Sequence, residues 1–403
     1  MTQVARPPRG GSSRALSARI ALGRAITPVP VEFLLIGSAA ILLTAFGVVM
    51  AFSATTVESI STTGSPYNSG LSHLIFAAVG LPVMFVISRF RLGWLRKLAW
   101  PAFVCGIALQ LLVFTPLGGS YGGNRNWIYL GSQSVQPSEF LKVALALWIS
   151  FILYRKSAAL TEFWQFAIPI LPGITFALVT VLGGRDLGTA TIIAMLAFGT
   201  LLFAGVRMRF LLPIVALAAA AVAMLAIFSE NRMRRIMSVF DPNCDPTKEC
   251  YQPNHAIWGL AGGGIFGRGL GNSHEKYNWL PAAADDYIFA IVGEELGLIG
   301  CVVVLLLFAV LAVGIFRIVS RTDEVFTRAL AGGLGVWIIG QALVNIGVVL
   351  RVLPALGVPL PFLSAGGSSL IAVLIGCGVL LALARTLPDR PQATATVPTR
   401  AAS

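Results

Sequence analysis

The chain has 403 residues, 56% of them hydrophobic and only 11% charged, against roughly 25% charged in an ordinary soluble domain. That balance excludes a soluble globular protein and makes this an integral membrane protein. A net charge of +12 is spread over short connections rather than gathered in one stripe, which argues against nucleic acid as a partner.

In chain order, residues 1–30 are rich in Arg, Ser and Pro and lack the apolar core of a signal peptide, so they are expected to form a disordered cytoplasmic tail. Because each helical span needs about 20 mostly apolar residues, an all-α fold of about ten transmembrane helices is predicted. They fall at 31–53, 71–88, 98–117, 138–154, 164–182, 188–206, 210–228, 286–316, 326–350 and 366–385. Residues 31–386 thus form one membrane domain, with a large outer loop, 229–285, between spans 7 and 8, and 387–403 form a second tail. Basic residues recur in alternate short connections, among them Arg89, Arg91, Arg155, Lys156, Arg207, Arg209, Arg317 and Arg321. This pattern puts both termini in the cytoplasm. Outside the long loop the exceptions are Arg125, Lys142, Arg185 and Arg351.

That topology brings four polar clusters to the outer side. The first runs from Gly122 to Ile128 and on through Gln136-Pro137-Ser138-Glu139-Phe140-Leu141-Lys142. Glu139 and Lys142 share a helix face, either as an ion pair that holds helices together or as a cation turned to an anionic substrate with its orienting carboxylate. In the second, Gly183 to Thr189, Asp186 reads as a helix cap and Arg185 as a cap neighbour or phosphate ligand.

The third cluster is the long loop itself, whose Trp, Tyr and Gly content predicts an ordered surface lying on the membrane. Cys244 and Cys250 flank five polar residues there, and an oxidising compartment permits a disulfide between them; two free thiols are the competing reading. Cys105, Cys301 and Cys377 fall inside spans as small packing residues. His73, His255 and His274 are too scattered for a zinc site. At the loop's end Asp285 and Asp286 stand side by side at the edge of hydrocarbon, where a carboxylate is costly and points to chemistry, ion binding or a proton path. Glu294 and Glu295 follow about two turns later, as a buried hydrogen-bonded pair, a helix-packing pair, or a part of substrate or cation binding. In the fourth cluster Asn345, Arg351 and a Pro- and Gly-rich stretch lead to Gly366-Gly367-Ser368-Ser369. Helix-breaking residues at membrane depth imply buried backbone or a cavity, and Ser368 and Ser369 serve either an anion site or close helix packing.

On these clusters the chain resembles the SEDS family, the FtsW/RodA group of peptidoglycan glycosyltransferases. The residues that carry the resemblance are Tyr251-Gln252, Gly267-Arg268-Gly269-Leu270-Gly271-Asn272-Ser273 with Lys276, and Asp286-Tyr287-Ile288-Phe289-Ala290 with Gly293-Glu294-Glu295. Pro354, Gly357, Pro359-Leu360-Pro361 and Gly366-Gly367-Ser368-Ser369 extend it, and it covers most of 31–386. The resemblance implies polymerisation of lipid II, a disaccharide-pentapeptide on undecaprenyl diphosphate, at the outer face of the cytoplasmic membrane. It assigns the essential acid to Asp286. The Asn-Ser-x-x-Lys stretch looks like the division-type branch, which implies a septal location and a class B penicillin-binding protein and other divisome proteins as partners. Ala282, Ala284, Asn126, Arg185 and Ala365 depart from the family pattern.

Glycosyl transfer from a lipid diphosphate needs a base for the acceptor hydroxyl and cations for the leaving diphosphate. Asp286 is the expected base, Asp285 its modulator, and inversion the expected outcome. Arg125, Lys142, Lys276 and Arg351 are the expected diphosphate partners, with Glu139, Ser368 and Ser369 beside them. No covalent cofactor is expected; a divalent cation, Mg or Mn, can share the work, although no spacing marks a metal site. The competing readings are a lipid II flippase, an elongation-type polymerase and a non-catalytic scaffold. Intramembrane charge gathered near one surface favours chemistry at that face.

Overall fold

Long apolar stretches without a narrow amphipathic stripe form helices that face either lipid or other helices. In the computed structural model, which describes residues 29–388 apart from 122, 123, 132, 161, 228, 229, 242 and 243, ten such helices are present. They are α1 (Val31–Thr63), α2 (Asn68–Ile87), α3 (Leu92–Leu112), α4 (Pro137–Arg155), α5 (Phe163–Gly183), α6 (Leu187–Phe203), α7 (Met208–Ile227), α10 (Ile288–Arg321), α11 (Val325–Val349) and α12 (Gly367–Ala384). Eight are long and apolar enough to cross a membrane, while α6 and α7 contribute shorter apolar segments. The fold is therefore the mostly helical, multi-pass membrane architecture expected. The expected tails lie outside the described residues except at 29, 30, 387 and 388.

Three helices depart from their expected bounds by five residues or more: α1, α3 and α10, which runs on to Arg321. α1 continues to Thr63 because its polar end satisfies itself: the Thr55, Thr56 and Thr62 hydroxyls donate to carbonyls four residues back, and Gly64 closes the helix at φ 73°. α3 starts at Leu92 because Arg96 is at home on a helix, pairing with Glu324 and stacking over the Tyr154 ring at 4.0 Å. A small antiparallel sheet, in the order β1 (Gly118–Tyr121), β2 (Asn124–Leu130), β3 (Gln133–Val135), is an addition to the expected helices. It covers the α3–α4 connection.

The centre of the bundle is α4, α11 and α12, whose side chains are mostly buried, with α6 packed on α11 and α2 on α12. Small residues allow these approaches. A Cβ on Gly333 of α11 would lie 2.1 Å from the Thr200 hydroxyl of α6.

The segment between α7 and α10 is ordered into two further helices, α8 (Glu230–Phe240) and α9 (Tyr251–Gly263). α9 packs on the start of α10, which is itself interrupted at Gly297, φ 68° and ψ −163°. The backbone groups freed there pair with the loop after α9. Leu298 N–H donates to Gly264 O (2.9 Å), Arg268 N–H to Glu294 O (3.0 Å) and Gly269 N–H to Glu295 O (2.9 Å). A broken helix is tolerated at such depth because the groups freed at Glu294, Glu295, Leu298 and Ile299 find partners in protein. Any Cβ at position 297 would meet Gly267 N and Ile265 O at 2.4 Å, so the docking requires glycine.

Candidate active site

At one end of the bundle the polar clusters converge on the segment just before α10. The Asn345 side chain of α11 donates to the carbonyls of Asp286 (2.7 Å) and Val358 (2.8 Å). The Ser364 hydroxyl donates to Asp285 O and accepts from Leu360 N–H (2.7 Å), while Ala365 N–H donates to Ala284 O (3.0 Å). The Pro- and Gly-rich stretch is thus the wall that fixes the backbone of both aspartates. Gly357 lies beside the Asp286 carboxyl, where a Cβ would sit in ordinary contact at 3.6 Å, so it is the backbone at φ 67° rather than space that favours glycine here.

A second polar layer lies beneath. Lys142 donates to Glu139 Oε1 (2.8 Å) and Gln341 Oε1 (2.9 Å), and its ammonium sits 4.9 Å from the Trp337 ring centroid. Gln341 in turn donates to Pro359 O (2.8 Å), and Ser369 to Glu139 Oε2 (3.2 Å). Both Lys142 and Glu139 are buried, at 1% exposure. Ser368 Oγ accepts from Gln136 N–H (3.2 Å), and the Gln136 amide donates to Asp186 Oδ2 (3.2 Å). Asp186 caps α6, accepting from the Thr189 N–H (2.8 Å) and hydroxyl (2.7 Å). One continuous network therefore joins the starts of α4, α6 and α12 to α11 and the Pro- and Gly-rich wall.

Electrostatics single out the two aspartates, which are half-buried but crowded by protein. Burial pushes the Asp286 carboxyl up to about 7, with the negative charges of Asp285 and Asp186 adding to it and Arg235 opposing. Burial and then Glu58 push Asp285 up to about 6. Burial also raises Asp186. A carboxyl held near neutrality is suited to take and release a proton. Beside Asp186, Leu182 and Leu187 open an apolar cavity of about 470 Å³ between α5, α6 and α7, which reaches down to Leu171 and Leu201.

Of the sequence candidates, Asp286, Glu139, Lys142, Ser368 and Ser369 come together here. Arg125, Lys276 and Arg351 stand apart, each engaged elsewhere. Arg125 donates to Val113 O (3.1 Å) and Thr115 O (3.0 Å), closing the end of α3 against the sheet. Lys276 reaches Gly271 O (2.6 Å), Glu295 (3.1 Å) and Ser53 (3.4 Å). Glu294 accepts from Ser273 Oγ (2.6 Å), the amides of His274 (2.9 Å) and Glu275 (3.2 Å), and Arg268 (3.2 Å). The two glutamates thus clamp loop 267–276 onto α10, the hydrogen-bonded pair of the two readings. Arg351, at φ 57°, donates to Asn254 Oδ1 (3.0 Å), Ser238 O (3.0 Å) and Cys250 Sγ (3.1 Å). Cys250 is bonded to Cys244, with Cα atoms 6.0 Å apart. Sequence reasoning missed Gln341, Glu58 and Arg235, because their relevance exists only through tertiary proximity; Gln341, a lone amide inside an apolar span, was the one legible signal.

Among the described residues no group of three or more His, Cys, Asp or Glu side chains could hold a metal ion. A divalent cation here would take most of its ligands from water and substrate oxygens, as magnesium commonly does.

Comparison with known proteins fits this geometry. Residues 33–388 match the family described as cell cycle protein, FtsW/RodA/SpoVE. A relative from Mycobacterium tuberculosis, named "Probable peptidoglycan glycosyltransferase FtsW", is 36% identical over 369 residues, 91% of this chain and 70% of that protein. One of the same name from Nitrosococcus halophilus is 36% identical over 374 residues, 92% of this chain and 95% of its own. Among solved structures, a chain from work on the structural coordination of polymerization and crosslinking by a peptidoglycan synthase complex superposes with a TM-score of 0.68. It is 26% identical, and the match covers 86% of this chain and 96% of that one. The rod shape determining protein RodA of Thermus thermophilus superposes with a TM-score of 0.65 at 25% identity, over 88% of this chain and 97% of its own. With its fold, its polar end and nearly its whole apolar length matched in this way, the chain belongs to the FtsW/RodA/SpoVE family.

Proposed function

We infer that this chain is a peptidoglycan glycosyltransferase that polymerises lipid II, with Asp286 as general base. The observation that carries the reading is a carboxyl pushed up to about 7 at the end of the bundle where the network of Glu139, Lys142, Asp186, Asn345, Ser368 and Ser369 lies, beside an apolar cavity suited to a polyprenyl chain. Asp286 takes the proton of the acceptor sugar hydroxyl as its oxygen attacks the donor's anomeric carbon. The bond to the diphosphate breaks with its electron pair leaving on the phosphate oxygen. Attack opposite that bond inverts the configuration. Asp285, half a step away, modulates the base through its charge. Lys142 and Glu139 act as a buried frame that sets the wall around the site, and Ser368 and Ser369 tie α12 to it.

Both termini are cytoplasmic in this reading, and the site faces outward across the cytoplasmic membrane at the division septum. A divalent cation, Mg or Mn, accompanies the diphosphate rather than a protein cluster. The likeness to a chain of a peptidoglycan synthase complex supports a class B penicillin-binding protein as partner within the divisome.

The test is glycan synthesis from purified lipid II by wild type and Asp286→Ala, with and without the partner transpeptidase and divalent cations. Wild type makes chains and the variant makes none; equal polymer from both would sink the reading. A flippase would instead move labelled lipid across the bilayer and make no glycan.

A further inference from the structure

The four cations expected from sequence to face the diphosphate all have protein partners, which leaves the leaving group without an assigned counter-charge. One other cation stands on a helix that Arg351 ties to the wall of the site. Arg235 lies on α8, an amphipathic helix. Arg351, at the head of the wall that carries Gly357, grips Ser238 O one turn further along α8 (3.0 Å), and Ser238 Oγ donates back to Arg235 O (2.9 Å). Its neighbour Arg234 turns away to Glu249 (3.5 Å). Arg235 is exposed, and among the described residues its guanidinium has no hydrogen-bond or ion-pair partner, yet its charge is felt by both Asp286 and Tyr287. The Tyr287 hydroxyl feels the charges of Asp286 and Arg235. Its side chain is 2% exposed, and the oxygen has no hydrogen-bond partner in the fold. A buried hydroxyl left unpaired is costly, and a ligand oxygen would relieve it.

We propose that Arg235 and the Tyr287 hydroxyl together hold the diphosphate of a polyprenyl substrate, so that α8 supplies the counter-charge for the leaving group. The proposal deepens the polymerase reading and rests on it for the identity of the substrate. A guanidinium offers planar paired donors to phosphate oxygens, and the phenol adds a third. As the bond from the anomeric carbon to the phosphate oxygen breaks, the added negative charge appears on the oxygens that these donors face. The proton meanwhile passes from the acceptor hydroxyl to Asp286.

The test compares binding of farnesyl diphosphate and farnesol to the full-length protein in detergent, followed by tryptophan fluorescence. Wild type should prefer the diphosphate. Arg235→Ala should lower that preference by about tenfold, and Arg235→Lys and Tyr287→Phe by about threefold each, as charge-assisted and neutral hydrogen bonds differ. Farnesol affinity should stay unchanged in all three, which also shows that the variants are folded. A wild type without preference, or an Arg235→Ala protein that keeps it, overturns the proposal. So does the pattern of an arginine that only tunes the base, in which the pH dependence of glycan synthesis shifts upward in Arg235→Ala while the diphosphate preference persists. An Arg235-dependent preference in a wild type that makes no glycan from lipid II supports the diphosphate site and removes the polymerase reading instead.

Discussion

The side-chain amide of Asn345 holds the main chain of Asp286 at 2.7 Å, so the proposed base is positioned through its backbone by a residue from a different span. Asn345→Ala would leave the carbonyls of Asp286 and Val358 without their donor, at about 1–3 kcal/mol each. A displaced base costs up to about a hundredfold in rate. The expected result is a fall in kcat of at least about tenfold in the glycan assay, with KM for lipid II changed far less.

The raised carboxyls predict a pH dependence of rate. A base acts only when ionised, so glycan synthesis should rise with pH through a midpoint near the 7 of Asp286. Asp285→Asn removes a neighbouring negative charge, which should move the midpoint down and lower the rate only modestly. Total loss in Asp285→Asn with activity retained in Asp286→Asn would reverse the assignment of the base.

The same groups predict a pH dependence of stability. Both bind their protons more tightly in the folded chain than at the ordinary 3.8. The folded state therefore loses stability as pH rises from about 4 through 6 and 7, and stays at the lower level above that. Asp286→Asn should consequently raise Tm at pH 8 and leave it nearly unchanged at pH 4, as read by thermal unfolding in detergent.

Lys142 and Glu139 form an ion pair with almost no solvent contact. Removing one partner of such a pair costs about 3–5 kcal/mol, whereas replacing both by neutral side chains of similar volume is far milder. Glu139→Gln should lower Tm markedly, and Glu139→Gln with Lys142→Met should recover most of the loss.

The Cys244–Cys250 bond closes the turn that Arg351 uses to hold α8. Replacing both cysteines by serine should loosen this turn by about 2 kcal/mol. The bundle would stay intact, and glycan synthesis would fall severalfold. Alkylation of the two thiols only after reduction checks the bond itself.

The spans were legible because a run of about 20 apolar residues is what crossing hydrocarbon requires and is rare in soluble chains, and Asp286 stood out because a carboxylate at that depth is rare. The sheet was not legible: β1 and β3 hold four and three residues, too short for an alternating pattern, and glycines break it further. The extra turns of α1 escaped notice because Thr55, Thr56 and Thr62 look like an exit from the membrane until their hydroxyls are seen bonded back to the helix. Charge counting made Arg125, Lys276 and Arg351 resemble substrate ligands. Only the fold reveals that each meets main-chain carbonyls of its own surroundings, and that Arg235, among the described residues, does not.

The interruption at Gly297 divides a continuous hydrophobic run into two pieces with different histories. From Leu298 to Arg321 the chain is long enough, at ~1.5 Å per residue, to cross roughly 30 Å of hydrocarbon unaided, so insertion during synthesis can be complete without the piece before it. The piece from Ile288 to Leu296 carries Glu294 and Glu295, whose partners lie on a loop that must fold back onto it. Assembly of the catalytic end therefore depends on contacts that entry into the bilayer does not need. A chain that lacked those contacts would be inserted, multi-pass and inactive.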